Sequence, residues 1–175
     1  MTRQPRVLVL LALVVVAAVA LGIALAQRAA PPNLTSAVTS EHCKAVDGLP
    51  DHTCTPGAVD PRVTQDNIDA TICVSGYTKT VRPPSGYTSA LKVSQIRQYG
   101  YSDTDSSHYE EDHLIPLELG GHPTDPRNLW PEPLLSGGAT RKDTVENRLH
   151  SEVCARLISL SAAQATMATD WTSAT

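Results

Sequence analysis

An aspartate and a histidine stand side by side in an apolar setting, Asp112-His113-Leu114-Ile115-Pro116-Leu117, midway along the 175-residue chain. A histidine can remove a proton from water near neutral pH, and an aspartate can bind a divalent ion that offsets charge on a phosphate. On a regular strand, neighbouring side chains point to opposite faces, so the two residues would have different roles. Metal-assisted hydrolysis of a phosphodiester can use one group of each kind.

More carboxylates follow at helical spacing. Asp143 and Glu146 are three residues apart and therefore share one face of a helix. A hard cation such as Mg²⁺ needs more oxygen ligands than one aspartate supplies, and these two acids can add them. Lys142, beside them, is a candidate phosphate contact as a point charge.

Basic and acidic residues are unevenly distributed, although the formal net charge is only −4. Residues 77–101 contain lysines and arginines but no acid, whereas most of the charged residues in 102–146 are acidic. Arg82 and Lys92 in the basic segment are candidate contacts for a phosphodiester substrate near an acidic metal pocket. Two ordinary solvated surfaces would give the same pattern.

The central motif resembles the HNH (ββα-metal) endonuclease family. The resemblance lies in residues 112–117, in Gly120-Gly121 and in Asn128-Leu129, fifteen residues after His113. It implies that His113 is the general base, that Asp112 binds the metal and that Asn128 hydrogen-bonds across the loop to orient the base. The segments TICVSGYTKTVRPP and AQATMATDW are similar to those of small exported bacterial HNH-type proteins.

One family position differs in this chain. Members of the family often have His or Asn on the helix about nine residues after the middle Asn, where this chain has Gly137. Asp143, Glu146 or Asn147 would then supply the second protein ligand after a longer loop. Mg²⁺ is the expected ion for oxygen ligands of this kind, with Mn²⁺ or Zn²⁺ as alternatives.

Hydrophobic periodicity and turn signals predict an α+β domain over residues 41–175, with a strand-loop-strand-helix centre and additional helices. Glu110, Glu111 and Glu118 are expected to be solvated strand residues, and His122 is expected to be exposed. Trp130 is expected to pack in the core. The expected elements are a turn or short helix start at Thr64–Asp69, a strand at Thr71–Val74, extended segments at Tyr109–Leu119 and Asn128–Pro133, and helices at Thr88–Tyr99, Thr140–Ile158 and Ser161–Trp171.

The N-terminal segment predicts export. Val7 to Ala26 is an unbroken apolar run preceded by two arginines, which fits either a membrane-spanning helix or a signal peptide with an A-x-A ending. Residues 1–26 are therefore expected to be a signal peptide or anchor, and residues 27–40 a flexible tether. Charge bias across the run places the domain outside the cytoplasm.

Four cysteines in an exported domain favour disulfides. Three pairings are open, and we favour Cys43 with Cys54 and Cys73 with Cys154. The alternative is a cysteine-based zinc site, which the lack of any C-x-x-C pair disfavours.

The expected function is metal-dependent hydrolysis of DNA, with RNA as a further substrate class and little sequence specificity. The protein is expected to be a monomer whose partners are nucleic acid and, if the leader is retained, a membrane. One alternative is an exported, non-catalytic binding domain with a degenerate HNH fold. Another is a metallopeptidase or cell-wall amidase, which the absence of an H-E-x-x-H motif disfavours.

Overall fold

The computed structural model describes residues 42–134 and 138–174. The expected leader and tether lie outside these ranges. Among the described helices, none has the length and apolar character needed to cross a membrane.

The described chain combines four α-helices with one two-stranded sheet, so the α+β prediction is confirmed. The strands form an antiparallel hairpin in which Tyr109 faces Pro133 and His113 faces Leu129. The elements in chain order are α1 (Tyr77–Val81), α2 (Ser85–Gln98), β1 (Tyr109–His113), β2 (Leu129–Pro133), α3 (Gly138–Cys154) and α4 (Leu160–Asp170).

The three predicted helices are present, with shifted ends. Helix α2 begins earlier than expected, directly after Pro84, where a fixed φ suits a helix start. Helix α3 ends at Cys154 rather than Ile158, because Arg156 adopts a left-handed backbone conformation with φ of 60°. Helix α4 is capped by Ser159, whose side chain accepts a hydrogen bond from the backbone of Ala162, and not by Ser161.

The strand prediction at Thr71–Val74 is wrong. This segment forms tight turns in which Cys73 N–H donates to Ile68 O at 2.9 Å and Val74 N–H donates to Thr71 O at 2.9 Å. These local bonds use the groups that a strand would offer to a neighbour. The preceding Gln65–Ala70 segment forms the expected short helical start, as a 3₁₀ helix.

The first extended segment is shorter than predicted. Strand β1 stops at His113, and Leu117–Leu119 forms a 3₁₀ turn that ends at Gly120 with φ of 74°. A positive φ of this kind is favourable for glycine, so the Gly-Gly pair allows the chain to reverse here.

The hydrophobic core contains buried side chains from the hairpin, from α3 and α4 and from the loops before α1. Trp130 is fully buried, as predicted, and Trp171 packs in the same cluster. The other fully buried apolar side chains of the cluster include Ile68, Leu114, Leu119, Val153, Ala163 and Met167.

Both predicted disulfides are present. Cys43 bonds to Cys54 within the N-terminal loop region, and Cys73 bonds to Cys154 at the end of α3. The second disulfide connects α3 to a turn and not to the expected strand. Two disulfides favour an oxidising, extracytoplasmic compartment.

Candidate active site in the hairpin loop

The loop between β1 and β2 is fixed from inside by Asn128. Its Nδ2 donates to the carbonyl oxygens of Ile115 (2.9 Å) and His122 (3.2 Å), and its Oδ1 accepts from Ile115 N–H at 2.9 Å and Ala58 N–H at 3.4 Å. The side chain is completely buried. Asn128 therefore uses both ends of its amide to connect the two sides of the loop.

Gly121 makes this close approach sterically feasible. A Cβ at Gly121 would lie 1.7 Å from the carbonyl oxygen of Ile115 and 2.8 Å from Nδ2 of Asn128. Neither contact is compatible with normal packing, so the loop requires glycine here.

His113 ends strand β1 and is 7% exposed. Its Nε2 lies 3.0 Å from the carbonyl oxygen of Pro123. Because a carbonyl only accepts, this geometry assigns the proton of the neutral ring to Nε2 and leaves the Nδ1 lone pair available. Burial lowers the pKa of His113, which favours this neutral form, although the bond to Pro123 and the nearby Asp112 act in the opposite direction.

A polar pocket opens beside His113 and brings together residues from β1 and α3. The predicted residues Asp112, His113, Asp143 and Glu146 all line it. The remaining lining residues are Arg82, Glu110, Pro116 and Leu117. Asp143 and Glu146 lie near Asp112 and His113 because α3 packs against the hairpin loop.

Glu110 is an exposed strand residue, as expected, and it also lines the pocket. It stands two residues before Asp112 and therefore on the same face of β1. Burial raises the pKa of its carboxyl group, with a further contribution from Asp112. The two-residue spacing from Asp112 was the sequence signal that could have identified Glu110 as a pocket residue.

Lys142 is placed differently from the expected phosphate contact. Its side chain is 1% exposed, and its Nζ donates to Asp112 Oδ1 (3.1 Å), to the carbonyl oxygen of His113 (2.9 Å) and to Glu146 Oε1. Asp112 Oδ2 is 3.0 Å from the same Nζ and also accepts from Trp130 Nε1 at 3.1 Å. The ammonium therefore lies inside the protein, between the Asp-His pair and α3.

The two other candidate substrate contacts have different positions. Arg82 lines the pocket, where its guanidinium can meet an anion. Lys92 instead donates to the carbonyl oxygen of Tyr109 at 2.8 Å, at the opposite end of β1 from His113. Of these two residues, only Arg82 lines the pocket.

Several carboxyl groups near the hairpin are buried and resist ionisation. Burial raises the pKa of Glu146 to about 7 against the opposing effect of Lys142, and it raises the pKa of Glu132 and of Glu111 to about 8. Both carboxylate oxygens of Glu111 and of Glu132 are buried without a hydrogen-bond partner, and so is Glu118 Oε1. The expectation that Glu111 and Glu118 are solvated was therefore wrong.

The pocket offers hard oxygen donors, which suit Mg²⁺ or Mn²⁺ better than a soft ion. Within the described ranges, the side chains of Glu110 and Asp143 make no hydrogen bond or ion pair, and Glu146 uses one oxygen for Lys142. These free oxygens and the excess of acids over bases make the pocket negatively charged, but among the described residues no three of its carboxylates have ligand atoms within 4.8 Å of one another.

The group of ligand atoms that is close enough together to hold a metal ion lies elsewhere in the described part of the chain. Ligand atoms of Cys73, His150 and Cys154 all lie within 4.8 Å of one another. However, the two sulfur atoms are joined in a disulfide, and His150 Nε2 is 2.9 Å from the carbonyl oxygen of Ile72. Since thiolates are the metal-binding form of cysteine, this group would need a reduced chain.

Comparison with protein-family models, with curated proteins and with solved structures finds no match to this chain.

Proposed function

We propose that the chain is a metal-dependent endonuclease of the HNH type that hydrolyses phosphodiester bonds in DNA with low sequence specificity. The observation that carries the proposal is the shared pocket of His113, Asp143 and Glu146. The imidazole of His113, held through Nε2 by the Pro123 carbonyl, lines the same pocket as these carboxylates. Water activation and charge neutralisation would thus meet at one phosphate.

His113 would accept the proton of the attacking water at Nδ1. The bond from Nε2 to the carbonyl of Pro123 keeps the ring in the required tautomer and orientation. Asn128 would act through the loop backbone, because it fixes Ile115 and His122 on either side of the turn. Arg82 would bind a non-bridging phosphate oxygen at the mouth of the pocket.

A bound divalent ion would stabilise negative charge on the phosphate and on the leaving oxygen. The residues that would bind it are Glu110, Asp143 and Glu146, because the carboxylate of Asp112 already accepts hydrogen bonds from Lys142 and Trp130. Mg²⁺ is the proposed ion, and Mn²⁺ or Zn²⁺ are the alternatives.

We further propose that the domain acts outside the cytoplasm as a monomer, secreted or anchored by residues 1–26. The apolar run and arginines of that segment support export. The two disulfides are consistent with the same compartment.

The test is a plasmid-nicking assay with the purified, oxidised protein, with and without a chelator, across Mg²⁺, Mn²⁺ and Zn²⁺. A single-stranded RNA substrate in parallel establishes the nucleic-acid preference. His113→Ala is expected to reduce nicking at least about 100-fold, a typical loss for a general base. His52→Ala, at an exposed histidine outside the pocket, is the matched control and should cut like the parent protein.

Equal nicking by His113→Ala and the parent would contradict the proposal. If cutting resists the chelator but still requires His113, the role of His113 as general base is supported and the metal dependence is wrong. If neither protein cuts DNA or RNA, the exported non-catalytic binding domain becomes the better explanation.

A further inference from the structure

Lys142 has the surroundings of a bound cation. Its ammonium contacts both oxygens of Asp112, one oxygen of Glu146 and the carbonyl oxygen of His113. An ammonium has three N–H donors, and three acceptor groups surround this one, so no donor remains for a substrate phosphate.

This arrangement differs from a surface ion pair. Moving an ammonium from water into the protein is costly unless acceptors replace the lost hydration, and the Lys142 side chain is 1% exposed. The acceptors come from two elements, because Asp112 and His113 end β1 while Glu146 lies one turn further along α3. Lys142 therefore links the helix to the end of the strand that carries His113.

Asp112 has little remaining capacity for a metal ion. Trp130 adds a second donor to Asp112 Oδ2, so both carboxylate oxygens already accept hydrogen bonds. Glu146 differs, since only its Oε1 contacts the lysine while the residue also lines the open pocket.

We propose that Lys142 is a protein-borne cation that takes the place of a metal ion between Asp112 and Glu146. Through the His113 carbonyl it also acts as a positioning residue for the imidazole, a role that rests on the proposed function. The pocket carboxylates that would remain for a divalent ion are then Glu110, Asp143 and Glu146, while Asp112 binds the lysine.

Replacing Lys142 by methionine keeps most of the side-chain volume but removes the charge, which leaves Asp112 and Glu146 facing each other. A divalent ion should then enter between them, because their repulsion is no longer compensated. Metal affinity is expected to rise by about tenfold or more, given the size of a charge interaction at this distance.

The experiment measures Mn²⁺ binding by calorimetry, and thermal unfolding with and without Mn²⁺, on the full oxidised chain. Lys142→Met should bind Mn²⁺ more tightly than the parent, unfold at a lower temperature without it and regain stability with it. Lys142→Arg and the surface control Lys44→Met should resemble the parent in Mn²⁺ affinity. An affinity for Lys142→Met within twofold of the control would overturn the proposal.

A variant-free measurement covers the case in which Lys142→Met does not fold. In the parent protein, the ammonium of a fully bonded, buried lysine exchanges its protons slowly and gives a ¹H–¹⁵N signal that exposed lysines lack. This signal should persist when Mg²⁺ is added to saturation. Its loss on addition of Mg²⁺ would show that the metal displaces the lysine and would overturn the proposal.

Neither measurement depends on turnover, so this proposal and the proposed function can fail separately. A parent protein that does not cut nucleic acid would reject the nuclease while the Mn²⁺ and ¹⁵N results still decide the cation role. For the positioning role, nicking is compared at saturating Mn²⁺. Lys142→Met should keep its KM for plasmid and lose kcat, and an unchanged kcat would overturn that role.

Discussion

Replacing Asn128 by alanine should strongly destabilise the domain, because the amide completes the hydrogen bonding of a buried turn. The variant leaves both the N–H and the carbonyl of Ile115 without the partners that they contact at 2.9 Å. Each buried backbone group left unsatisfied costs about 1–3 kcal/mol, so we expect a loss of about 2–6 kcal/mol. That is a large fraction of the roughly 5–15 kcal/mol that stabilises a typical domain.

Urea unfolding followed by tryptophan fluorescence measures this loss directly, since Trp130 and Trp171 are both buried in the core. The matched control is Asn147→Ala on the exposed face of α3, where the amide donates to the carbonyl of Asp143. That change should alter the free energy of unfolding by less than about 0.5 kcal/mol. A loss below about 1 kcal/mol for Asn128→Ala, taking the lower limit for one unsatisfied group, would refute the assignment of this residue as the link across the loop.

Three further predictions concern the loop, a buried acid and a disulfide. Gly121→Ala should prevent the native loop from forming, because its Cβ would lie 1.7 Å from a carbonyl oxygen, and a melting temperature equal to the parent's would contradict this. For Glu111, the pKa is raised from 4.5 to about 8, so its stabilising contribution is complete below pH 4.5 and is lost as the pH rises toward 8. Glu111→Gln should therefore have the same free energy of unfolding as the parent near pH 4.5 and a larger one at pH 9. The difference should grow by up to about 1.4 kcal/mol per pH unit between pH 4.5 and 8. A difference that does not change with pH would exclude ionisation of Glu111 as its cause. Cys154→Ser removes the disulfide with a separation of 81 residues and should lower the free energy of unfolding by about 4.5 kcal/mol. Cys54→Ser removes the one with a separation of 11 and should lower it by about 2.8 kcal/mol. Chemical denaturation of the oxidised variants tests this order.

The sequence was sufficient for features that depend on local pattern. Helical periodicity predicted α2, α3 and α4 to within a few residues, and the Gly-Gly pair correctly indicated a chain reversal between two short strands. Both disulfides were predicted from cysteine spacing and the expected compartment. The Asp-His motif indicated which residues to consider for chemistry, and the nuclease assignment itself stays a proposal.

Local pattern was insufficient where a residue's environment comes from distant parts of the chain. Thr71–Val74 has the composition of a strand, but its N–H groups bond to nearby carbonyls in tight turns. Glu111 and Glu132 occupy ordinary strand positions in the sequence, and only packing reveals that their carboxyl groups are buried without partners. Burial is a property of the assembled fold, because it depends on which side chains cover each position.

Lys142 shows most clearly what the tertiary structure decides. In the sequence it is a lysine next to Asp143 and four residues before Glu146, which we interpreted as a candidate phosphate contact. Packing of α3 against the end of β1 instead places its ammonium among oxygens from Asp112, His113 and Glu146. The sequence alone therefore determined the residue types and the helices and turns that carry them. The fold decided which charged groups meet, because electrostatic interactions depend on distance in space and not on separation along the chain.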